Sequence, residues 1–295
     1  MNDNPALTTS FATPVYSDLF WTSTDGLQIA ARRWIVANSR ALVLLVHGIG
    51  DHSGRFERVA ETMNATGFSV LAADLRGHGR SGGQRGYIKD FDTLVADLDQ
   101  TLEKTREISP DQHCFIYGQS MGALLSILYV LKRRPTITGL IASSPALRIA
   151  MNTPAWKVSL GKALRSAMPR ISLDSGLDVD ELSDDPQVAA RIRVDRFRHR
   201  RVTPEAYFGM VECGRWCLQN ADRLTCPALI MHGRQDRITD HTASIEFAES
   251  SDQCCLQLWE DGKHELHNMT YHDQVLATVT DFQNRCIHAG SRQSD

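Results

Sequence analysis

The sequence contains neither a long apolar run nor a strong excess of one charge. A transmembrane helix needs about 18 or more consecutive apolar residues, and no stretch of the 295 residues reaches that length. The formal net charge is −3 and there is no basic tail, so we expect no nucleic-acid partner. No cysteine and histidine spacing typical of zinc occurs either, and we expect neither a bound metal nor a cofactor.

We expect neither a secretory leader nor a disulfide framework. The N-terminal stretch MNDNPALTTSFATPVYS has neither a positively charged segment nor an apolar core, so it does not have the pattern of a signal peptide. The seven cysteines follow no regular spacing, which is typical of reduced thiols. These features predict a cytoplasmic protein, and they carry no information on its oligomeric state.

Strand-like apolar runs alternate with helical patterns along most of the chain, which predicts an α/β fold with a mostly parallel sheet and helices on both faces. The predicted strands cover residues 28–37, 41–48, 68–77, 113–118, 137–145, 227–233 and 254–262. The predicted helices cover residues 54–65, 90–107, 120–134, 241–250 and 272–287. The first of these strands alternates in polarity and is predicted to lie at the edge of the sheet. Functional residues are expected at the carboxyl ends of the strands.

The alternation is interrupted between residues 147 and 203, where no continuous apolar run occurs. We interpret this segment as a cap inserted after the core strand predicted at 137–145. The chain then divides into a first core part at 1–146, the cap at 147–203 and a second core part at 204–295.

The cap contains a predicted amphipathic helix at 153–168, with Thr153 as its N-cap and Pro154 at its first helical position. Its apolar face is led by Trp156, and the stretch from Arg148 to Leu173 has five basic residues and no acidic one. Two interpretations remain open. The helix either contacts an anionic membrane surface or packs as a lid over the substrate, with its basic side merely solvated.

The stretch YGQSMGA, residues 117–123, places Ser120 between two glycines where a strand passes into a helix. The spacing Gly118-x-Ser120-x-Gly122 is typical of a tight turn that lifts a nucleophilic serine out of the sheet. Since so short a pattern also matches ordinary turns, the prediction depends on the rest of the chain.

A serine hydroxyl needs a base, and the base needs an acid that orients it. Asp236 follows the strand 227–233 and His264 follows the last strand, which gives the order serine, acid, histidine. We therefore predict Ser120, Asp236 and His264 as a catalytic triad.

Other residues compete for these roles. Asp240 lies four positions after Asp236 and is expected to enter the following helix. His232 ends a strand, where a structural role bonded to the backbone is expected. His267 follows His264 by three residues, but His264 is closer to the strand end.

Acyl transfer also requires donors for the oxyanion. The backbone N–H of Met121, directly after the serine, is one predicted donor. The loop VHGIGDHSGR, residues 46–55, supplies the backbone N–H of Ile49 as the second. A plain turn at the end of a strand is the alternative interpretation of this loop.

Five motifs in this order resemble the monoacylglycerol lipase and lysophospholipase family of α/β-hydrolase fold serine hydrolases. They are HGIGDHSGRF, ADLRGHGRSGGQRG, GQSMGA, GRQD and KHELHN, and the resemblance covers roughly residues 20–285. It implies the α/β-hydrolase fold with an inserted cap and the same triad and oxyanion donors.

The resemblance further implies a serine carboxylesterase that hydrolyses monoacylglycerol to fatty acid and glycerol. Asp51, Arg55 and His267 match the residues that hold the glycerol hydroxyls in this family, although animal members carry glutamate at the position of Asp51. From the residues alone, pairing of Asp51 with Arg55 at the surface is the alternative. Lysophospholipase, broad-specificity esterase and a non-catalytic ligand-binding protein remain the other functions to consider.

Overall fold

The computed structural model describes residues 16–151 and 154–291, which form an eight-stranded sheet covered by helices on both faces. The predicted N-cap Thr153 and all but the last two residues of the N-terminal stretch considered above lie outside the described residues. The predicted α/β-hydrolase fold, with its mostly parallel sheet, is confirmed.

Ten strands are present in the described residues, eight in the main sheet and two in a small hairpin-like pair. They are β1 Tyr16–Thr22, β2 Gln28–Trp34, β3 Ala41–Val46, β4 Phe68–Ala73, β5 His113–Gln119, β6 Gly139–Ser143, β7 Leu173–Asp174, β8 Arg201–Val202, β9 Ala228–Gly233 and β10 Cys254–Trp259. The main sheet has the order β1-β2-β4-β3-β5-β6-β9-β10. β2 is antiparallel to both of its neighbours. The other six strands of the sheet run parallel to one another, in the order β4, β3, β5, β6, β9 and β10.

Eight α-helices occur in the same described residues. They are α1 Glu57–Ala65, α2 Phe91–Arg106, α3 Met121–Arg133, α4 Ala155–Ala167, α5 Pro186–Val194, α6 Pro204–Gln219, α7 His241–Glu249 and α8 His272–Ser291. Short 3-10 helices lie at Ser53–Phe56, Val179–Glu181, Ala221–Arg223 and Leu266–Asn268. Within the described residues, no helix combines the length and the apolar character that a membrane crossing requires.

The sequence prediction was wrong about the sheet edge. β2 is an interior strand, because β1 pairs with its outer side from Tyr16–Trp34 to Thr22–Gln28. β1 was not predicted: its residues YSDLFWT alternate between exposed and half-buried, so only one face of the strand contributes to packing.

Two apolar cores flank the sheet. One contains buried side chains of α2, α3, α6 and α7, and the other contains those of α1 and α8. All six residues of β3 are buried, as its unbroken apolar sequence ALVLLV predicts for a strand covered on both faces. This double cover holds the carboxyl ends of β5, β9 and β10 at one edge of the sheet.

The segment between β6 and α6 lies over that edge and contains α4, β7, α5 and β8. Its helix α4 begins at Ala155, close to the predicted start, but no side chain of α4 is buried. Trp156 is 64% exposed and Leu160 is 51% exposed, so these two side chains of the predicted apolar face do not pack against the rest of the described chain. Arg165 instead joins α4 to α6 through ion pairs with Glu205 and Glu212.

Candidate active site

Ser120 occupies a strained turn between β5 and α3. Its φ is 57° and its ψ is −121°, a conformation that a residue with a side chain rarely adopts. A Cβ on Gly118 would lie 2.5 Å from the Gly122 carbonyl oxygen, and one on Gly122 would lie 2.1 Å from the Val46 carbonyl oxygen. Both glycines are therefore required by close backbone contacts, which explains why they flank the serine.

The loop after β3 lies directly against this turn. A Cβ on Gly48 would be 3.1 Å from the Ser120 Cβ, so the backbone of the loop passes the serine at contact distance. Within the described residues, the backbone N–H groups of Ile49 and Met121 have no hydrogen-bond acceptor. Met121 begins α3, and the first N–H groups of a helix lack acceptors within that helix. Both predicted oxyanion donors are therefore unpaired next to Ser120.

Asp236 and His264 are brought together from the ends of β9 and β10. The Nδ1 atom of His264 lies 2.7 Å from the Oδ2 atom of Asp236, and both side chains are buried. The backbone N–H groups of Ile238 and Thr239 donate to the other carboxylate oxygen, Oδ1, at 2.7 and 3.0 Å. The acid is thus fixed by the turn that follows β9, and it orients the histidine ring.

His232 also binds Asp236, which sequence reasoning did not anticipate. Its Nε2 atom lies 3.1 Å from Asp236 Oδ2, and its Nδ1 atom lies 2.7 Å from the Ser244 hydroxyl. The sequence predicted that His232 would bond to the backbone. It does so only through the Thr239 carbonyl, which lies 3.3 Å from its Nε2 atom, and its shorter hydrogen bonds are to side chains. The spacing of four residues between His232 and Asp236 was the available signal in the sequence.

The acid and the base shift each other's proton affinity. Burial favours the neutral acid, but the nearby His264 and the hydrogen bonds hold the pKa of Asp236 well below its usual range. Burial disfavours a charged imidazole, but the Asp236 carboxylate raises the pKa of His264 above its ordinary value. The pair therefore consists of a firmly ionised acid and a strengthened base.

The structure does not join Ser120 to His264 by a hydrogen bond. Within the described residues, neither the Ser120 hydroxyl nor the His264 Nε2 atom has a hydrogen-bond partner. Catalytic hydrogen bonds are often long in a ligand-free enzyme and shorten when substrate binds. The missing bond is therefore compatible with the predicted roles of Ser120 and His264.

Ser120 opens into a small apolar cavity of about 90 Å³. Ile49 and Thr239 line it together with the serine, and its other lining residues include Leu177 of the overlying segment and Tyr207 of α6. Ligand pockets typically measure about 300–1,000 Å³, so this cavity is too small for a long acyl chain as it stands.

Arg55 lies buried between two carboxylates. Its Nε atom is 3.1 Å from the Asp51 carboxylate, and its Nη2 atom makes an ion pair with Glu265. Burial opposes the charged guanidinium, yet Asp51 and Glu265 raise the pKa of Arg55, and Arg55 lowers that of Glu265 against the effect of burial. The alternative of a surface pair is wrong because Asp51 is 5% exposed. Glu265 was missed by the sequence analysis.

His267 belongs to the same buried cluster. Its ring stacks on Phe56 with centroids 5.0 Å apart, and its Nε2 atom lies 3.2 Å from the Asn268 amide nitrogen. Its Nδ1 atom and the Nη1 atom of Arg55 are buried without a hydrogen-bond partner. Burial lowers the pKa of His267 to about 4. Two polar nitrogens are thus left to bind a polar ligand group at this side of the site.

The rival acid lies elsewhere. Asp240 caps α7 by accepting from the Thr242 backbone N–H at 2.9 Å, and it pairs with Arg148 at 3.2 Å. It makes no contact with His264 among the described residues. In the part of the chain that the structure describes, no group of three or more histidine, cysteine or acidic side chains is arranged to hold a metal ion.

Comparisons with known proteins identify the family of the chain. A family model described as Serine aminopeptidase, S33 matches residues 37–270. The chain is 31% identical to the monoglyceride lipase of Rattus norvegicus, over 85% of both chains. It is 29% identical to the monoacylglycerol lipase of Mycolicibacterium smegmatis, over 86% of this chain and 92% of that protein.

A third relative is much longer than this chain. It is an uncharacterized abhydrolase domain-containing protein of Dictyostelium discoideum, 31% identical over 86% of this chain, which spans 27% of that protein's length. Among solved structures, the monoacylglycerol lipase of Paleococcus ferrophilus is similar with a TM-score of 0.77 and 28% identity, over 92% of this chain and 98% of that one.

Proposed function

Since the chain belongs to the family described as serine aminopeptidase S33, we propose that it is a serine ester hydrolase that cleaves monoacylglycerol into fatty acid and glycerol. The observation that carries the mechanism is the buried Asp236–His264 pair, 2.7 Å apart, beside the strained turn of Ser120. The names and functions of the similar lipases support the choice of substrate.

Ser120 is the proposed nucleophile. His264 takes its proton while the Ser120 oxygen attacks the ester carbonyl, and Asp236 stabilises the resulting imidazolium. The N–H groups of Ile49 and Met121 receive the oxyanion, helped by the N-terminus of α3. His264 then protonates the departing glycerol, and a water molecule activated by the same ring hydrolyses the acyl-enzyme.

The glycerol hydroxyls bind at the polar cluster of Asp51, Arg55 and His267. The unpartnered Nη1 of Arg55 and Nδ1 of His267 support this assignment, because buried donors without partners are costly unless a ligand satisfies them. Glu265 also holds Arg55 in place through its ion pair with Nη2. A substrate without these hydroxyls would leave the cluster unsatisfied and bind less well.

Residues 147–203 form the proposed cap between the two core parts, 1–146 and 204–295. The cavity at Ser120 is closed by residues of this segment, so we expect the cap to move when an acyl chain enters. The unpacked face of α4, with Trp156, Leu160, Lys157 and Lys162, is the proposed contact with an anionic lipid surface. Arg148 and Arg165 do not contribute charge to this contact, because both are neutralised by acidic partners.

The experiment that tests the function compares Ser120→Ala with the wild type on a monoacylglycerol, together with labelling by a fluorophosphonate. The variant should lose at least about 10³-fold in kcat/KM and all labelling, because the residue that forms the acyl-enzyme is gone. Ser126→Ala is the matched control: Ser126 is a buried serine of α3 whose hydroxyl bonds to the Gly122 carbonyl. Retained hydrolysis by Ser120→Ala would refute the proposed mechanism.

A further inference from the structure

A second cavity, of about 550 Å³, lies between the loop that follows β4 and the stretch that precedes β8. Four arginines and a histidine line it, and the described lining contains no acidic residue. The lining residues are Gly79, Arg80, Arg85, Arg196, Phe197, Arg198 and His199. We call this cavity the arginine cleft.

Three of the four arginines keep an unneutralised charge. Arg80 is paired with Asp18 at 2.8 Å and lies 3.6 Å from Asp74. Arg85, in contrast, donates only to the backbone carbonyls of Ser81 and Gly79, both at 2.9 Å. Carbonyl oxygens satisfy hydrogen bonds but do not cancel the charge of a guanidinium.

Arg196 and Arg198 have even fewer contacts. Arg196 is exposed and lies over the Phe197 ring, with its guanidinium carbon 4.7 Å from the ring centroid. Arg198 is half-buried, and among the described residues it has neither a hydrogen-bond acceptor nor an ion-pair partner. A charged side chain that is partly withdrawn from water is normally paired, so Arg198 is the informative exception.

The arginine cleft borders the proposed glycerol site. The backbone N–H of His199 donates to the Gly50 carbonyl at 2.9 Å, so the stretch 196–199 that lines the cleft contacts the loop between Ile49 and Asp51. Burial lowers the pKa of Arg198, and the largest opposing effect is the charge of Asp51. The guanidinium of Arg198 is therefore electrostatically coupled to a residue of the glycerol side.

We propose that the arginine cleft binds a phosphate group, carried either on the glycerol of a monoacyl substrate or on a free phosphate compound. Arginine forks match phosphate oxygens in bidentate geometry, and three unneutralised guanidiniums suit an anion that carries close to two charges. The first source depends on the proposed ester hydrolase function, since the ester must then reach Ser120 while the phosphate lies near Arg198.

The test compares octanoylglycerol with octanoylglycerol 3-phosphate, both below the concentrations at which they aggregate, so that lipid surfaces play no part. Arg198→Gln should lower kcat/KM for the phosphate substrate by about ten- to a hundredfold, the effect of losing one charge-assisted hydrogen bond. Octanoylglycerol should change less than about threefold. Arg198→Lys, which keeps the charge, should recover part of the loss.

Arg196→Gln and Arg215→Gln provide the comparison variants. Arg196 is an exposed residue of the cleft, so its replacement keeps the fold and should reduce the phosphate substrate selectively. Arg215 is an exposed arginine of α6 outside the cleft, and Arg215→Gln should behave like the wild type. Equal losses for all three glutamine variants would mean a general charge effect and would overturn the proposal.

A second measurement identifies the source of the phosphate. Glycerol 3-phosphate and inorganic phosphate are added in thermal unfolding experiments at low salt, with wild type and Arg198→Gln. A Tm increase that depends on Arg198, without hydrolysis of the phosphate substrate, assigns the cleft to a free phosphate compound. If the experiments show neither an Arg198-dependent Tm increase nor selective hydrolysis of the phosphate substrate, the proposal is overturned. Hydrolysis of octanoylglycerol by the wild type tests the ester hydrolase function separately.

Discussion

The edge of the sheet at the carboxyl ends of β5, β9 and β10, here called the core edge, and the proposed cap above it differ in how firmly their residues are held. The side chains at the core edge are buried: Ser120 is 8% exposed, Asp236 is 7% exposed and His264 is 2% exposed. Ser120 is held by hydrogen bonds of its backbone, and Asp236 by hydrogen bonds of its carboxylate. In the cap, α4 buries no side chain, and the cap's own apolar cluster is limited to a few residues of the segment and Ile238 of the core.

This difference suggests that the core edge performs the reaction and that the proposed cap controls the entry of substrate. The proposed acid, base and nucleophile follow parallel strands that have apolar cores on both faces, so we expect their positions to change little without unfolding. The proposed cap contacts the core through polar interactions, such as His52 to Asp195 at 2.8 Å and Glu265 to Leu182 at 2.7 Å, and through one small apolar cluster. Regions with few buried apolar contacts open at low free-energy cost. We therefore expect variants of the core edge to change the rate greatly and variants of the cap to change substrate access.

The largest expected effect is that of Asp236→Asn. The amide cannot stabilise an imidazolium or hold His264 in the required tautomer, so kcat should fall by about 10⁴-fold. Asp240→Asn is the matched control, because Asp240 only caps α7 and pairs with Arg148. Hydrolysis of a soluble p-nitrophenyl ester measures both. If Asp240→Asn proved the more harmful change, the assignment of the acid would be wrong.

The sequence carries more information on the turn at Ser120 than on contacts between distant parts of the chain or on the packing of the proposed cap. The Ser120 turn has a local signature, since its glycines are demanded by contacts within a few residues and with β3. Glu265 was missed because its partner Arg55 lies 210 positions away in the chain. The lack of packing of Trp156 could not be predicted either, because an amphipathic pattern shows that a helix has an apolar face but not what covers it.

The next effect concerns the glycerol side. Arg55→Ala would leave Asp51 and Glu265 buried without their cation, a change that destabilises strongly. Arg55→Lys keeps the charge but loses the planar fork, so it is the better variant. We expect kcat/KM for a monoacylglycerol to fall about tenfold or more, and that for the methyl ester of the same fatty acid to fall much less.

Unchanged thermal unfolding of Arg55→Lys is the control for that measurement. Glu265→Gln should show the same selectivity with a smaller loss, since Asp51 still pairs with Arg55. Parallel losses on both substrates would mean that Arg55 only supports the loop, and the glycerol site would have to be abandoned.

A smaller effect distinguishes the histidines of the two regions by pH. The pKa of His264 is raised above its ordinary value of 6.5, so the neutral base is lost as the pH falls through that raised pKa. At pH 6, kcat/KM should be lower than at pH 8 by about fourfold or more. Burial lowers the pKa of His199 in the cap to about 4, so it stays neutral over this range.

Thermal unfolding over the same range is the control for the pH profile. Buried histidines with lowered pKa values, such as His199 and His267, bind protons in the unfolded chain below pH 6.5 but not in the folded one. Stability should therefore decrease as the pH falls from 6.5 towards 4. An acid limb of kcat/KM with its midpoint below 6.5 would contradict the assignment of His264 as the strengthened base.

The smallest effect on the folded protein is expected at the outer face of α4. Trp156 and Leu160 are largely exposed, so changing both to serine should alter the free energy of unfolding by no more than about 1 kcal/mol and leave hydrolysis of soluble esters unchanged. Binding to vesicles that contain anionic lipid should nevertheless weaken by roughly tenfold, because apolar area that would enter the bilayer is lost.

Val194→Ser is the matched control: Val194 is an apolar side chain of the proposed cap, 83% exposed, at the end of α5. It should not affect vesicle binding. If the double variant bound vesicles as well as the wild type, α4 would not be a membrane contact. If it instead lost activity on soluble esters, the cap helix would contribute to the active site itself, and the separation between a core that performs the chemistry and a cap that controls access would fail.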